Sequence, residues 1–142
     1  MATLERAVEI AAQAHQGQRD KAGAPYLLHP LRLMLRMTSE AAMIAAVLHD
    51  VVEDSAWTLA DLRAAGFAEE ILCAVDCLTR RAEESYEQFI TRVKTNALAR
   101  QVKLADLEDN LNLQRITNLT PNDLARIERY HRARRELLEG EL

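Results

Sequence analysis

The stretch Glu40-Ala41-Ala42-Met43-Ile44-Ala45-Ala46-Val47-Leu48-His49-Asp50-Val51-Val52-Glu53-Asp54 decides how this chain folds. From Ala41 to Leu48 every residue is apolar, and Ala, Met and Leu are strong helix formers. A helix that is apolar all round belongs at the centre of a core rather than on a surface. Thr38 or Ser39 supplies a cap, so one helix is predicted from Glu40 to about Asp54. It ends in His49, Asp50, Glu53 and Asp54, a polar group at the end of the most apolar element of the chain.

Helical periodicity continues on both sides. Leu4, Ala7, Val8, Ala11 and Ala12 predict a first helix from about Thr3 to His15. Gly17 stops it, and a polar loop runs to Tyr26. A second helix starts near Leu28. Beyond the central helix, Thr58 with Asp61 is a capping-box-like start for a short helix that Gly66 ends, and another helix runs from about Ala68 to Leu78. Ser85 with Gln88 opens the next, residues from about Ala97 to Arg115 form another, and Thr120-Pro121 begins the last, which reaches about Leu138. The charges of that last helix are predicted mostly to form a solvated face.

The 142 residues suit one domain, expected to span 1–142. Half of them are apolar, aromatics are 4%, and Gly and Pro number 4 and 3, a composition for an all-α domain. The net charge of −4 argues against a general nucleic-acid binder, which carries a basic surface. A small phosphorylated substrate is compatible with it, because a bound cation supplies local positive charge. No apolar run reaches the roughly 18 residues of a membrane span, and no signal peptide is visible, so a cytoplasmic protein is expected. Cys73 and Cys77, four apart in an apolar helix, are read as core residues. The sequence is compatible with a homo-oligomer without requiring one.

Four potential ligands are embedded in apolar surroundings: His29 after Leu27-Leu28, His49 and Asp50 after Val47-Leu48, and Asp106 after Leu104-Ala105. A buried polar group without a partner costs roughly 1–3 kcal/mol. One shared cation satisfies all four, and two imidazoles with two carboxylates suit Mn, Fe, Zn or Mg. Adjacent helical residues point about 100° apart, so His49 and Asp50 can share an ion only if it sits close to the backbone. Glu53 and Asp54 follow His49 and Asp50 by four residues, and Asn110 follows Asp106 by four, so all three are expected at the same cavity. Carboxylates there can orient a water at the ion or take its proton. His15 is read as the end of the first helix and His131 as a surface residue.

The segments Ala14-His15-Gln16-Gly17-Gln18, Pro25-Tyr26-Leu27-Leu28-His29-Pro30, Leu48-His49-Asp50-Val51-Val52-Glu53-Asp54 and Lys103-Leu104-Ala105-Asp106 resemble, in order, the hydrolase domain of the RelA/SpoT family. The resemblance covers the chain to about Arg115. No synthetase domain follows, so a stand-alone small alarmone hydrolase is the nearest architecture. It implies an all-α HD-domain helical bundle with a buried site for one divalent metal ion, usually manganese. It implies removal of the 3′-diphosphate of (p)ppGpp as pyrophosphate. His29, His49, Asp50 and Asp106 fall on the metal-ligand positions, and Glu53 and Asp54 on the acidic pair assisting the attacking water. Lys21, with Arg19 displaced by one from the family's Arg position, and Asn110 fall in the nucleotide pocket. Thr58 and Thr79 match threonines read as structural.

Two departures bear on the substrate. Asp20 stands where the family has an Arg, and Leu107 and Asp109 replace a basic residue and a histidine. Both are expected to make the pocket less positive. An HD phosphohydrolase for another nucleotide or phosphate ester, and a non-catalytic nucleotide-binding HD module, therefore stand as alternatives.

Overall fold

The computed structural model describes residues 1–139, and the last three positions of the expected domain lie outside the described residues. These residues form nine α-helices: α1 Leu4–Ala14, α2 Leu28–Arg36, α3 Glu40–Leu48, α4 Val51–Asp54, α5 Leu59–Ala64, α6 Glu69–Leu78, α7 Tyr86–Lys94, α8 Ala97–Asn110 and α9 Pro121–Leu138. A 3-10 turn, Leu113–Arg115, follows α8. No strand occurs among the described residues. The chain is an all-α bundle, as the composition and the central helix require.

Side-chain caps set most of the helix starts. Thr3, Ser39 and Asn96 accept from the backbone N–H three residues on. Thr58 with Asp61, Ser85 with Gln88, and Thr120 with Asp123 form complete capping boxes. Thr79 closes α6 by donating to the Val75 carbonyl at 2.9 Å. Gly66 ends the α5 region at φ +100°, a left-handed conformation suited to glycine, and its carbonyl accepts from Ala2 N–H.

Helix α3 divides the core and joins it. Its Ala42, Ala45 and Ala46 face one cluster with Leu33, Phe89, Val102 and Leu107, and its Ile44, Val47 and Leu48 face a second with Ile10, Leu62, Leu72 and Val75. The small alanine side lets neighbouring backbones approach closely. Helices α1, α2, α6 and α8 all pack on α3.

Four expectations are corrected. The helix expected over 40–54 stops at Leu48, and the chain turns through His49 and Asp50 before α4 begins at Val51. Asp50, at φ −106° and ψ 0°, breaks the helical path. The helix expected over 97–115 stops at Asn110, where Leu111 closes it and Asn112 starts the 3-10 turn. Cys77 packs against the core but Cys73 is exposed, because Ile71, Leu72, Ala74, Val75 and Leu78 occupy the buried side of α6. The charges of α9, expected to be mostly solvated, are only partly so: Asp123 is buried, Arg126, Arg129, Arg134 and Glu136 are partly buried, and Arg126 and Arg129 line cavities. Among the described residues, no helix is long and apolar enough to cross a membrane.

Candidate metal centre

The turn at His49-Asp50 resolves the geometry of two adjacent ligands. Because α3 has already ended, the two side chains converge instead of diverging by a helical step. His49 Nε2 lies 2.9 Å from Asp50 Oδ2 and 3.6 Å from Asp106 Oδ1. His29, in the first turn of α2, puts Nε2 2.8 Å from Asp106 Oδ1. One ligand atom each from His29, His49 and Asp50 falls within a 4.8 Å span. Asp106, on α8, closes the group by touching both imidazoles. His29, His49 and Asp106 are buried, and Asp50 is nearly so.

The donors fit a divalent cation. His49 Nδ1 donates to the Ala46 carbonyl at 2.7 Å, which leaves Nε2 with its lone pair. That Nε2 is buried and, among the described residues, has no hydrogen-bond partner, since the nearby carboxylate oxygens stand out of line. Two ligands of one ion with bonds of about 2.1 Å are typically about 3–3.5 Å apart, close to the separations seen here. An orphaned imidazole nitrogen facing carboxylates at such distances is a ligand set that asks for positive charge.

The carboxylates draw positive charge to this point, and a ring proton is the alternative to a cation. Burial opposes charge on His49, yet Asp50 and Asp106 outweigh it and raise its pKa well above the ordinary value. His29 is raised in the same way, against burial, by Asp106 and Asp109. Burial pushes Asp106 up, but Lys103 and the two imidazoles hold it well below the usual carboxylate range. Lys103 Nζ, 2.8 Å from Asp106 Oδ2, supplies one positive charge from α8 itself.

Above the four side chains lies a cavity of about 250 Å³ lined by Glu53, Arg80, Tyr86, Lys103, Asn110 and Arg129 among others. Glu53 Oε1 accepts from the backbone N–H of Arg80 at 3.2 Å, and burial together with the Asp50 charge raises the Glu53 pKa. Asp54 has its pKa raised by the same two causes but does not line this cavity, and its carbonyl accepts from Gln18. Asn110 donates to Asp106 Oδ1 at 3.2 Å. A second cavity of about 330 Å³ shares Asn110 and Tyr130 with the first and holds Arg19, Asp20, Lys21, Arg115 and Arg126.

The expected loss of positive charge does not arise from Leu107 and Asp109. Leu107 is fully buried in the core, and Asp109 is buried against His29 and Arg32, so neither lines either cavity. Arg80, Arg126 and Arg129 add basic groups that the motifs did not indicate. Tyr26 was also missed: its hydroxyl donates to Asp50 Oδ2, and its ring lies tilted between His15 and His29. The Tyr three residues before His29 was a visible signal. His15 closes α1 as expected but is buried, with Nδ1 2.8 Å from Gln18 Oε1. His131 is exposed, as expected.

A family model for the HD domain matches residues 7–116. The chain belongs to the HD domain family. Over this HD domain, 29% of 120 residues are identical in a protein of Aquifex aeolicus named guanosine-3′,5′-bis(diphosphate) 3′-pyrophosphohydrolase, covering 76% of this chain and 17% of that one. A Streptomyces coelicolor protein named GTP pyrophosphokinase is 32% identical over 125 residues, covering 79% of this chain and 15% of that one. The chain thus spans about a sixth of the length of these curated relatives. A solved structure described as a metazoan ortholog of SpoT that hydrolyzes ppGpp superposes with a TM-score of 0.77 at 25% identity, covering 99% of this chain and 87% of that one.

Proposed function

We propose that residues 1–142 form one HD hydrolase domain that removes the 3′-diphosphate of guanosine 3′,5′-bis(diphosphate), or of its 5′-triphosphate relative, as pyrophosphate. Water is consumed, and GDP or GTP is the other product. The observation that carries this reading is the orphaned His49 Nε2, buried among His29, Asp50 and Asp106 beneath a cavity rimmed with basic residues. The names of the relatives and of the superposed structure supply the nucleotide.

His29, His49, Asp50 and Asp106 are the residues that would hold the ion, with manganese as the assignment. A divalent ion there supplies Lewis acidity toward a phosphoryl oxygen and makes a water more acidic. Glu53 is the proton acceptor: it faces the cavity, one oxygen is fixed by Arg80 N–H, and burial with the Asp50 charge raises its pKa and so its basicity. Asp54, on the next position of α4, stands outside the cavity lining and would act on the water only through the charge it adds beside Asp50. Arg80 and Arg129 receive the charge of the departing diphosphate. Arg129 is held over the rings of Tyr86 and Tyr130, at 5.0 and 5.6 Å. Arg19, Lys21 and Asn110 would hold the nucleoside end in the adjoining cavity.

A second reading, another phosphorylated nucleotide or ester, draws on Asp20. Its carboxylate stands in the outer cavity, with Oδ1 taken by Ala22 and Ala24 N–H at 2.9 Å each. Negative charge there disfavours a phosphate and favours a neutral donor-bearing group. The substrate in either case is a small molecule, nucleic acid and membrane are not called for, and the cytoplasm is the assigned compartment. With the alarmone as substrate, the reaction would end a stringent-response signal. Purified protein incubated with manganese and ppGpp should yield GDP and pyrophosphate in equal amounts. Turnover of a different ester alone favours the second reading. Nucleotide binding without turnover of any ester makes the chain a non-catalytic module.

A further inference from the structure

Helices α2 and α8 present matched pairs of polar residues three positions apart. His29 and Arg32 lie on α2, and Asp106 and Asp109 lie on α8. Asp106 Oδ1 is 2.8 Å from His29 Nε2, and Asp109 Oδ2 is 2.6 Å from His29 Nδ1, so the imidazole is gripped at both nitrogens. Arg32 clamps Asp109 with two hydrogen bonds, Nε to Oδ1 at 2.8 Å and Nη2 to Oδ2 at 2.9 Å. Arg115 adds a bond from Nη2 to the Asp109 carbonyl at 3.3 Å. Asp109 is 8% exposed and lines neither cavity, so it reaches the chemistry only through His29.

Asp106 and Asp109 each face one ring nitrogen; when Nε2 gives its lone pair to a cation, the ring proton sits on Nδ1, where Asp109 accepts it. Nε2 then carries its lone pair toward His49, Asp50 and Asp106. We infer that Asp109, locked by Arg32, is a positioning residue that fixes the Nδ1–H tautomer of His29 and strengthens its Nε2 as a ligand for a divalent cation. Carboxylate–imidazole pairs of this kind orient metal ligands and raise their basicity. Arg32 balances the charge of the aspartate at this buried position.

The inference rests on the metal reading above, and the test separates the two. Manganese dissociation constants are measured from the electron paramagnetic resonance of the free ion for the wild type, Asp109→Asn, Arg32→Gln and Ile90→Val. The His29 Nδ1–H proton is observed by NMR in the proteins loaded with zinc, a diamagnetic stand-in for manganese. Asp109→Asn should weaken binding about 10–100-fold, and its His29 Nδ1–H resonance should lose the downfield shift of a hydrogen bond to a carboxylate. Arg32→Gln, which leaves the carboxylate beside the ring, should shift both readouts in the same direction by less. Ile90→Val, a core change away from the ligands, should lower Tm and leave the constant unchanged. Wild-type affinity and Nδ1–H shift in Asp109→Asn, with only a lower Tm, reduces Asp109 to a strut between helices and overturns the inference. If the wild type takes up no manganese, or His49→Ala takes up as much, the metal reading fails first and carries the inference with it.

Discussion

Tyr26 and His49 meet on the same carboxylate: the Tyr26 hydroxyl donates to Asp50 Oδ2, and His49 Nε2 lies 2.9 Å from that oxygen. The loop before α2 thereby reaches the turn that breaks the central helix. The phenol is a supporting group for Asp50, kept protonated because burial and the Asp50 charge raise its pKa. Tyr26→Phe keeps the ring between His15 and His29 and removes only the hydrogen bond. Bonds to charged groups contribute about 1.5–3 kcal/mol. Chemical denaturation of the metal-free variant should show a loss in that range with an unchanged slope. A midpoint equal to that of the wild type would show the bond to be energetically idle.

Asp106 is also the counter-charge of Lys103, and each stabilises the charge of the other against burial. Removing one member leaves the second unpaired, a loss of roughly 3–5 kcal/mol for buried pairs. Asp106→Ala should therefore unfold at markedly lower urea even without metal. Asp106→Ala with Lys103→Met should recover part of the loss. No recovery in the double variant would mean that the imidazole contacts, rather than the lysine, account for the destabilisation.

Glu84 and Arg92 form an ion pair away from the centre, with Arg92 Nε 2.7 Å from Glu84 Oε2 and Nη2 2.8 Å from Oε1. The Arg92 hydrogen bonds hold the Glu84 carboxyl down to about 2, from an ordinary 4.5. A depressed folded value means that the contribution is complete above the unfolded value and is lost as pH falls from 4.5 through 2. The Tm gap between wild type and Glu84→Gln should be widest at neutral pH and should close on acidification across that window. A gap constant from pH 7 to pH 2 would exclude this linkage.

Glu53→Gln keeps the shape of the side chain and its acceptor for Arg80 N–H but removes the proton acceptor. Turnover of ppGpp should fall by about 10²–10⁴-fold, the usual range for a general base. Manganese affinity should change little, because Glu53 is not among the four ligands. A near-normal rate would move the proton acceptor to Asp54 or to water.

Much of this was legible in the sequence. The apolar run 41–48 announced a buried central helix, and the caps Ser39, Thr58, Ser85 and Thr120 marked helix starts correctly. The four candidate ligands stood out because each interrupts apolar sequence, and the structure brings them together. The break at His49-Asp50 was not legible, since residues with ordinary helix propensity flank it and tertiary contacts to His29, Tyr26 and Asp106 override local preference. Asp109 was read as pocket charge because spacing alone does not tell which flank of α8 meets α2. Arg129 and Tyr130 were hidden in a charged helix whose docking against α7 and α8 only the fold reveals.

A cation shared by His29, His49, Asp50 and Asp106 is the centre of the proposed chemistry. Anomalous diffraction at the manganese edge, from a crystal grown with the ion, tests this most directly. One strong peak bonded to Nε2 of both imidazoles and to an oxygen of each carboxylate is the predicted result. A map with no peak there, or a peak held by other side chains while these four keep their contacts to one another, would contradict it.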